Sequence, residues 1–161
     1  MIREATVHDS DKIREILDAA FAPSMIESRI VSAVVSDDKP FFAWVVEIDS
    51  AIVGYILFTQ ATRGSEPIGF HLGPVAVRPN CQNQRIGSKL ISGTLKMKPL
   101  RDAPVFVLGD PRFYERFGFK ETTSAICPYD EGNRHFRALR WRDAGSPFTI
   151  GYPDAFSIVE Q

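Results

Sequence analysis

A proline stands in the middle of a segment that otherwise reads as a β-strand. Gly69 to Val77 is apolar and suited to a sheet, but Gly73 and Pro74 interrupt it. Proline has no N–H to give to a sheet ladder, so an interior proline marks a bulge or an edge. Any sheet that holds this strand is therefore irregular at that point. A polar turn through Arg78, Pro79 and Asn80 follows, and a helix pattern begins near Ile86. The chain thus centres on a broken strand, a turn and a helix.

The other elements follow from periodicity. Met1 to Thr6 suits a short strand. Asp9 offers an N-cap, and Ile13, Ile16, Leu17, Ala20 and Phe21 follow at helical spacing up to Pro23. Ile26, Ile30, Ala33 and Val34 share one face of a second helix, which stops before Asp37, Asp38 and Pro40. Phe41 to Ile48 and Ile52 to Thr59 flank a tight turn and predict an antiparallel hairpin. A polar loop from Arg63 to Pro67 leads to the broken strand. Ile86, Leu90, Ile91, Thr94 and Met97 predict a helix closed by Pro99. Pro104 to Leu108 reads as a short buried strand, and Pro111 to Arg116 as one brief helix stopped by Gly118. Phe119 to Ile126 and Phe136 to Trp141 predict two more strands. The tail after Gly145, with Pro147 and Pro153, has no clear pattern.

No repeat, low-complexity tract or linker divides residues 1–161, so a single domain is expected. The element order predicts a mixed α/β (α+β) fold with a largely antiparallel front half, not the alternation of a doubly wound sheet. The 19 Lys and Arg nearly balance the 20 Asp and Glu, which argues against a nucleic-acid partner. Cys81 and Cys127 form neither a disulfide framework nor a zinc site, and no metal is expected. No leader opens the chain and no apolar run reaches membrane-spanning length. The expectation is a reducing, cytoplasmic compartment without a membrane partner.

Two stretches carry chemistry. In His71 to Leu90, a strand runs through a polar turn into a helix. A helix N-terminus presents free N–H groups and partial positive charge, which favour a bound phosphate, and Gly87 lets the backbone approach a diphosphate closely. A plain scaffold turn explains the same residues. Gly87, Ser88 and Lys89 are in the wrong order for a P-loop, and a lone Gly87 is too little for a dinucleotide fingerprint. In Gly109 to Lys120, Phe113 and Phe117 are expected to face the core of a short helix, with Tyr114 on another face. A tyrosine hydroxyl is a general acid when it stands beside a leaving group, and otherwise the polar tip of a packed ring.

Together these stretches resemble the GCN5-related N-acetyltransferase superfamily. Its Q/R-x-x-G/A-x-G/A motif after the fourth strand is matched by Gln82-Asn83-Gln84-Arg85-Ile86-Gly87. Its common Tyr-Glu-Arg/Lys-x-Gly-Phe ending is matched by Tyr114-Glu115-Arg116-Phe117-Gly118-Phe119. LGPVAVRP, VFVLGDPRFYERFGF and the tail GYPDAF are similar to a bacterial subgroup of acetyltransferases. The resemblance implies an acyl-CoA N-acyltransferase fold, with a mixed, mostly antiparallel sheet whose fourth and fifth strands splay around acetyl-CoA.

The resemblance also implies roles. Val75, Ala76 and Val77 would face the acetyl-pantetheine arm, with the Val77 N–H on the acetyl oxygen. Gln82, Asn83, Gln84, Arg85, Ile86, Gly87 and Ser88 would hold the diphosphate. The amine would attack directly through a tetrahedral intermediate, and Tyr114 would protonate the departing sulfur. Arg85 departs from the motif. In a right-handed helical conformation it is sterically allowed, and its charge suits phosphate. Arg78, Lys89, Arg112 and Arg116 would extend that patch, or else serve as solvated charges. His71, Glu27 and Asp110 are candidate general bases. Even spacing places His71 on the face of Val77 unless the Pro74 bulge breaks the parity, and an imidazole suits neutral pH. Each has a structural reading beside the catalytic one, Asp110 as a helix cap above all, and water is a further candidate.

The expected acceptor is a small-molecule or aminoacyl amine. Glu27, Asp37, Asp38 and Glu66 favour a cationic one. Two alternatives stand beside it: a non-catalytic acyl-CoA-binding module, and a protein lysine or N-terminal acetyltransferase. The resemblance also makes a homodimer an expectation.

Overall fold

A computed structural model describes residues 1–160 of the chain. In chain order the elements are β1 (Ile2–Glu4), α1 (Ser10–Ala20), α2 (Ile26–Ser36), β2 (Phe41–Ile48), β3 (Ala51–Arg63), β4 (Glu66–Val77), α3 (Ile86–Thr94), β5 (Val105–Leu108), α4 (Pro111–Glu115), β6 (Ala125–Ile126), β7 (Phe136–Leu139) and β8 (Phe148–Thr149). A 3-10 helix, Asp154–Glu160, follows. Among the described residues, one six-stranded sheet runs β1-β2-β3-β4-β5-β7, and β6 pairs with β8. Within the large sheet every pair is antiparallel except β4 with β5. None of the described helices is long and apolar enough to cross a membrane.

Both faces of the sheet are covered, which is why β3 is apolar without a break from Ala51 to Phe58. Ile56, Phe58 and Leu72 face α3 and the ring of Tyr114. Tyr55, Leu57 and Ala76 face α1 and α2. A third cluster under β5 and β7 holds Phe106, Phe136, Cys127 and Ile150. Arg140 fastens the end of α3 to the sheet, donating to the carbonyls of Leu95 at 3.0 Å and Leu100 at 2.7 Å.

Several expectations change in detail. The loop from Arg63 to Pro67 is a two-residue hairpin turn at Gly64 and Ser65, with Gly64 at φ 61°. The predicted strand from Phe119 to Ile126 shrinks to Ala125–Ile126, with a single bridge at Lys120. The cause is local: Asp143 takes the N–H groups of Thr123 and Ser124 and the hydroxyl of Thr122, so side-chain bonds replace a ladder. These donors hold the Asp143 carboxyl far below the usual carboxylate range. Asp9 does not cap α1 with its side chain. Its carboxylate accepts from both terminal nitrogens of Arg3 at 2.9 Å and from the Thr6 N–H at 2.8 Å, which lowers its pKa to about 2. The tail holds β8 and a 3-10 helix that packs on α2.

Candidate active site

The proline of β4 does what its chemistry requires. Leu72 lies opposite Phe58 and Val75 opposite Ile56, so β4 takes three steps where β3 takes two. One extra residue sits at Gly73–Pro74. The parity breaks there: Val77 packs toward α3, whereas His71 lies on the opposite face, against Tyr152. The expectation from even spacing is thus corrected by the bulge. β5 follows β4 only from Phe70 to Leu72 and then parts from it, so the sheet opens between them.

The exposed edge of that opening can be assigned atom by atom. The Arg78 N–H donates to the Val53 carbonyl at 2.8 Å. Alternation in an antiparallel ladder then turns the Ala76 N–H toward β3 and the Val75 and Val77 N–H groups toward the opening. Of the three expected residues, Ala76 therefore contributes no donor. The Val77 carbonyl, on the same edge, accepts from the Gln82 side chain at 3.0 Å.

A cavity of about 800 Å³ passes through the opening. Leu72, Val75, Phe113 and Tyr114 line one side; Glu27, His71 and Tyr152 are among those on the other. Tyr114 is 9% exposed and belongs to the core, whereas Phe113 and Phe117 are only half-buried beneath the Arg116 guanidinium. Phe113 and Phe117 pack against the core as expected, but the deepest burial falls to Tyr114. The Tyr114 ring is wedged against Gly109, where a Cβ would stand 2.6 Å from Cε2, and edge-on to Phe119. Among the described residues its hydroxyl has no hydrogen-bond partner, and burial raises its pKa to about 12.

All three candidate bases reach the cavity wall, in different states. His71 is 3% exposed, stacks on Tyr152 at 3.7 Å, and donates from Nε2 to the Gly151 carbonyl at 2.9 Å. Its Nδ1 is buried and without a hydrogen-bond partner among the described residues. Desolvation lowers its pKa to about 4, the Gly151 carbonyl opposing weakly. The expectation of a base tuned to neutral pH is therefore overturned by burial. Glu27, in the first turn of α2, accepts from the Ser24 hydroxyl at 2.8 Å. Asp110 caps α4 through the Arg112 N–H at 3.0 Å. Asp37, Asp38 and Glu66 lie outside the cavity wall.

The segment Gln82 to Ser88 lies beyond the cavity, after the end of β4, and a Cβ at Gly87 would stand 3.6 Å from the Val77 side chain. Arg85 adopts φ 64° and ψ 16°. The right-handed conformation expected for it is corrected to a left-handed one, which for a residue with a Cβ costs roughly 1–2 kcal/mol. This explains why a small residue suits that motif position. The Arg85 side chain is exposed. Asn83 is also left-handed, at φ 63°. Of the other basic residues, Arg116 donates to the Ser88 hydroxyl at 3.2 Å and ties α4 to the first turn of α3. Arg78 instead turns to the Ile52 carbonyl at 3.1 Å. Lys89 and Arg112 are exposed.

Sequence reasoning missed the far wall of the cavity. Phe21, Ile30, Phe106, Tyr129, Tyr152 and Phe156 line it, drawn from five segments. Periodicity marks Phe21 and Ile30 as core. The resemblance of GYPDAF was the sole signal for Tyr152 and Phe156.

A family model described as an acetyltransferase (GNAT) domain matches residues 39–121. The chain is similar to a GNAT family acetyltransferase from Brucella melitensis crystallised with acetyl-CoA, at 31% identity over 97% of each chain and a TM-score of 0.80. It is also similar to the GNAT family N-acetyltransferase YhbS from Escherichia coli in complex with CoA. The identity there is 25%, over 98% of this chain and 91% of that one, with a TM-score of 0.86. The ribosomal-protein-S18-alanine N-acetyltransferase of Escherichia coli shares the fold, at 16% identity, 96% and 97% coverage and a TM-score of 0.64. No curated protein matches the chain.

Proposed function

The chain belongs to the GNAT acetyltransferase family, and from that premise we propose that it moves the acetyl group of acetyl-CoA to the nitrogen of a primary amine. The observation that carries this reading is the meeting, in one cavity, of the free edge of β4 and the Tyr114 hydroxyl.

The residues fit acetyl-CoA, which supplies an acyl group activated as a thioester. The Val75 and Val77 N–H groups point into the opening and lack strand partners there, so they suit a carbonyl oxygen that gains negative charge. The start of α3, with Gly87 and the exposed Arg85, suits a diphosphate. As the amine nitrogen forms its bond to the acetyl carbon, the C–S bond breaks. Tyr114 donates its proton to the departing sulfur, and the amine loses one. A pKa raised by burial keeps the Tyr114 hydroxyl protonated until that moment. His71 stays neutral at pH 7, and His71, Glu27 and water are the candidates at the cavity to receive that amine proton. Arg85 does not line the cavity and so leaves room for either reading, and Tyr114 in the cavity wall favours the catalytic one over the binding module.

Two measurements test the proposal. Acetyl-CoA should raise the melting temperature, by an amount equivalent to roughly 2.7 kcal/mol at 100 times Kd, and NAD or ATP much less. Thiol release from acetyl-CoA should then depend on added amine. No thermal shift at millimolar acetyl-CoA would remove the cofactor assignment; a shift without amine-dependent release would favour the binding module.

A further inference from the structure

The geometry points to a hydrophobic primary amine carrying one positive charge, of the arylalkylamine class, as the acceptor. This rests on the reading above and narrows it.

The cavity has two unlike sides. Opposite Tyr114, its wall is built from Phe21, Ile30, Phe106, Tyr129, Tyr152 and Phe156. These rings are locked together. Tyr152 stacks on His71 with only 6° between planes, meets Tyr129 edge-on at 5.0 Å and lies 5.3 Å from Phe156. Its hydroxyl is held near the Cys127 sulfur at 3.4 Å. A wall fixed in this way is preformed, so an apolar body entering it orders few side chains.

Charge on that wall is just as restricted. Among the described residues, Glu27 is its one carboxylate, and no Lys or Arg lines the cavity. The other carboxylate of the cavity, Asp110, stands on the β5–α4 side and caps α4. His71 adds no charge near pH 7, because burial holds its imidazole neutral. One carboxylate matches one ammonium. A polyamine would bring a second or third charge against aromatic faces, and an amino sugar would bring hydroxyls that find few partners there. An aryl or branched alkyl body suits the rings, and the Glu27 carboxylate suits the ammonium before it gives up its proton. The volume of about 800 Å³ must also admit the acetyl end of the donor, which keeps the acceptor small.

The test pairs kinetics with binding. Thiol release would be measured with 2-phenylethylamine, hexylamine, spermidine, glucosamine and a short peptide with a free hydrophobic N-terminus. Calorimetric titration of each amine into CoA-loaded protein would run beside it. The expected result is a kcat/KM for 2-phenylethylamine roughly tenfold or more above spermidine and glucosamine, with the same order in affinity. Glu27→Gln and Phe156→Ala should each raise KM for 2-phenylethylamine roughly tenfold while acetyl-CoA affinity holds. Phe156 is half-buried, so its truncation should leave the fold intact. Preference for spermidine, glucosamine or the peptide would overturn the inference. Selective binding of 2-phenylethylamine without turnover of any amine would uphold the pocket assignment and overturn the proposed transfer reaction instead.

Discussion

On one side of the β4–β5 opening, the working groups are backbone atoms. The Val75 and Val77 N–H groups and the turn into α3 come from one continuous stretch, and all of that stretch lies within residues 39–121 that the family model matches. On the other side the working groups are side chains. Most come from the end of α1, α2, the loop after β6, the residue after Gly151 and the C-terminal 3-10 helix, outside that match, while His71 on β4 and Phe106 on β5 lie inside it. The donor side is therefore a property of a local path of the chain. The acceptor side is a property of tertiary assembly. A family can keep the first while each member rebuilds the second.

The comparison can be tested at three points. The largest effect belongs to the acceptor wall and is one of stability. His71 titrates at about 4 when folded against 6.5 for the free imidazole, so below 6.5 the unfolded chain binds more protons. The resulting stability is complete above pH 6.5 and is lost as pH falls to about 4. At about 1.4 kcal/mol per pKa unit the loss amounts to about 3 kcal/mol. Urea unfolding at pH 7 and pH 4.5 should show it, and His71→Gln should flatten that dependence. An equal loss in the variant would mean that the wall is not the acid-sensitive side.

A smaller effect belongs to the donor side. Tyr114→Phe keeps the ring wedged on Gly109 and removes the hydroxyl alone. Turnover should fall by about 10–100-fold, the low end for general acid catalysis, because a thiol with a pKa of roughly 8.5 is already a fair leaving group. Acetyl-CoA affinity and melting temperature should hold. Full activity in steady-state kinetics would take Tyr114 out of the reaction.

The smallest effect is at Arg85. Being exposed, its charge should contribute about 1 kcal/mol to CoA binding, so Arg85→Ala should weaken binding about fivefold, and less at high salt. Arg85→Gly loses the same charge and relieves the left-handed backbone, so it should also raise the melting temperature slightly. Tighter CoA binding by either variant, seen calorimetrically, would make Arg85 an obstruction.

The same contrast explains what the sequence revealed. Pro74 announced the bulge because a missing N–H is a local fact, and Gln82 to Gly87 announced the turn into α3 for the same reason. The face of His71 was not legible, since parity depends on where the extra residue is absorbed. Its pKa was not legible either, because burial comes from Tyr152, about 80 positions away. Tyr114 was named for its hydroxyl, yet its deep burial was missed: a five-residue helix is too short for periodicity to sort its faces. Phe119 to Ile126 looked like a strand because nothing local showed that Asp143 would claim its donors.

The bulge at Gly73–Pro74 has a consequence for how such a site arises. Its essential quantity is a length, one residue more on β4 than on β3. Replacing one amino acid by another leaves that length untouched, so substitution alone neither opens nor closes the cleft. Removing a single codon between Leu72 and Val75 would let the two strands run in step. β5 would still end at Leu108, but β4 would lose the step at Gly73–Pro74 that sets its edge apart. The capacity to hold a donor thus behaves as an insertion–deletion trait. The surrounding chemistry is free to drift by substitution, one side chain at a time.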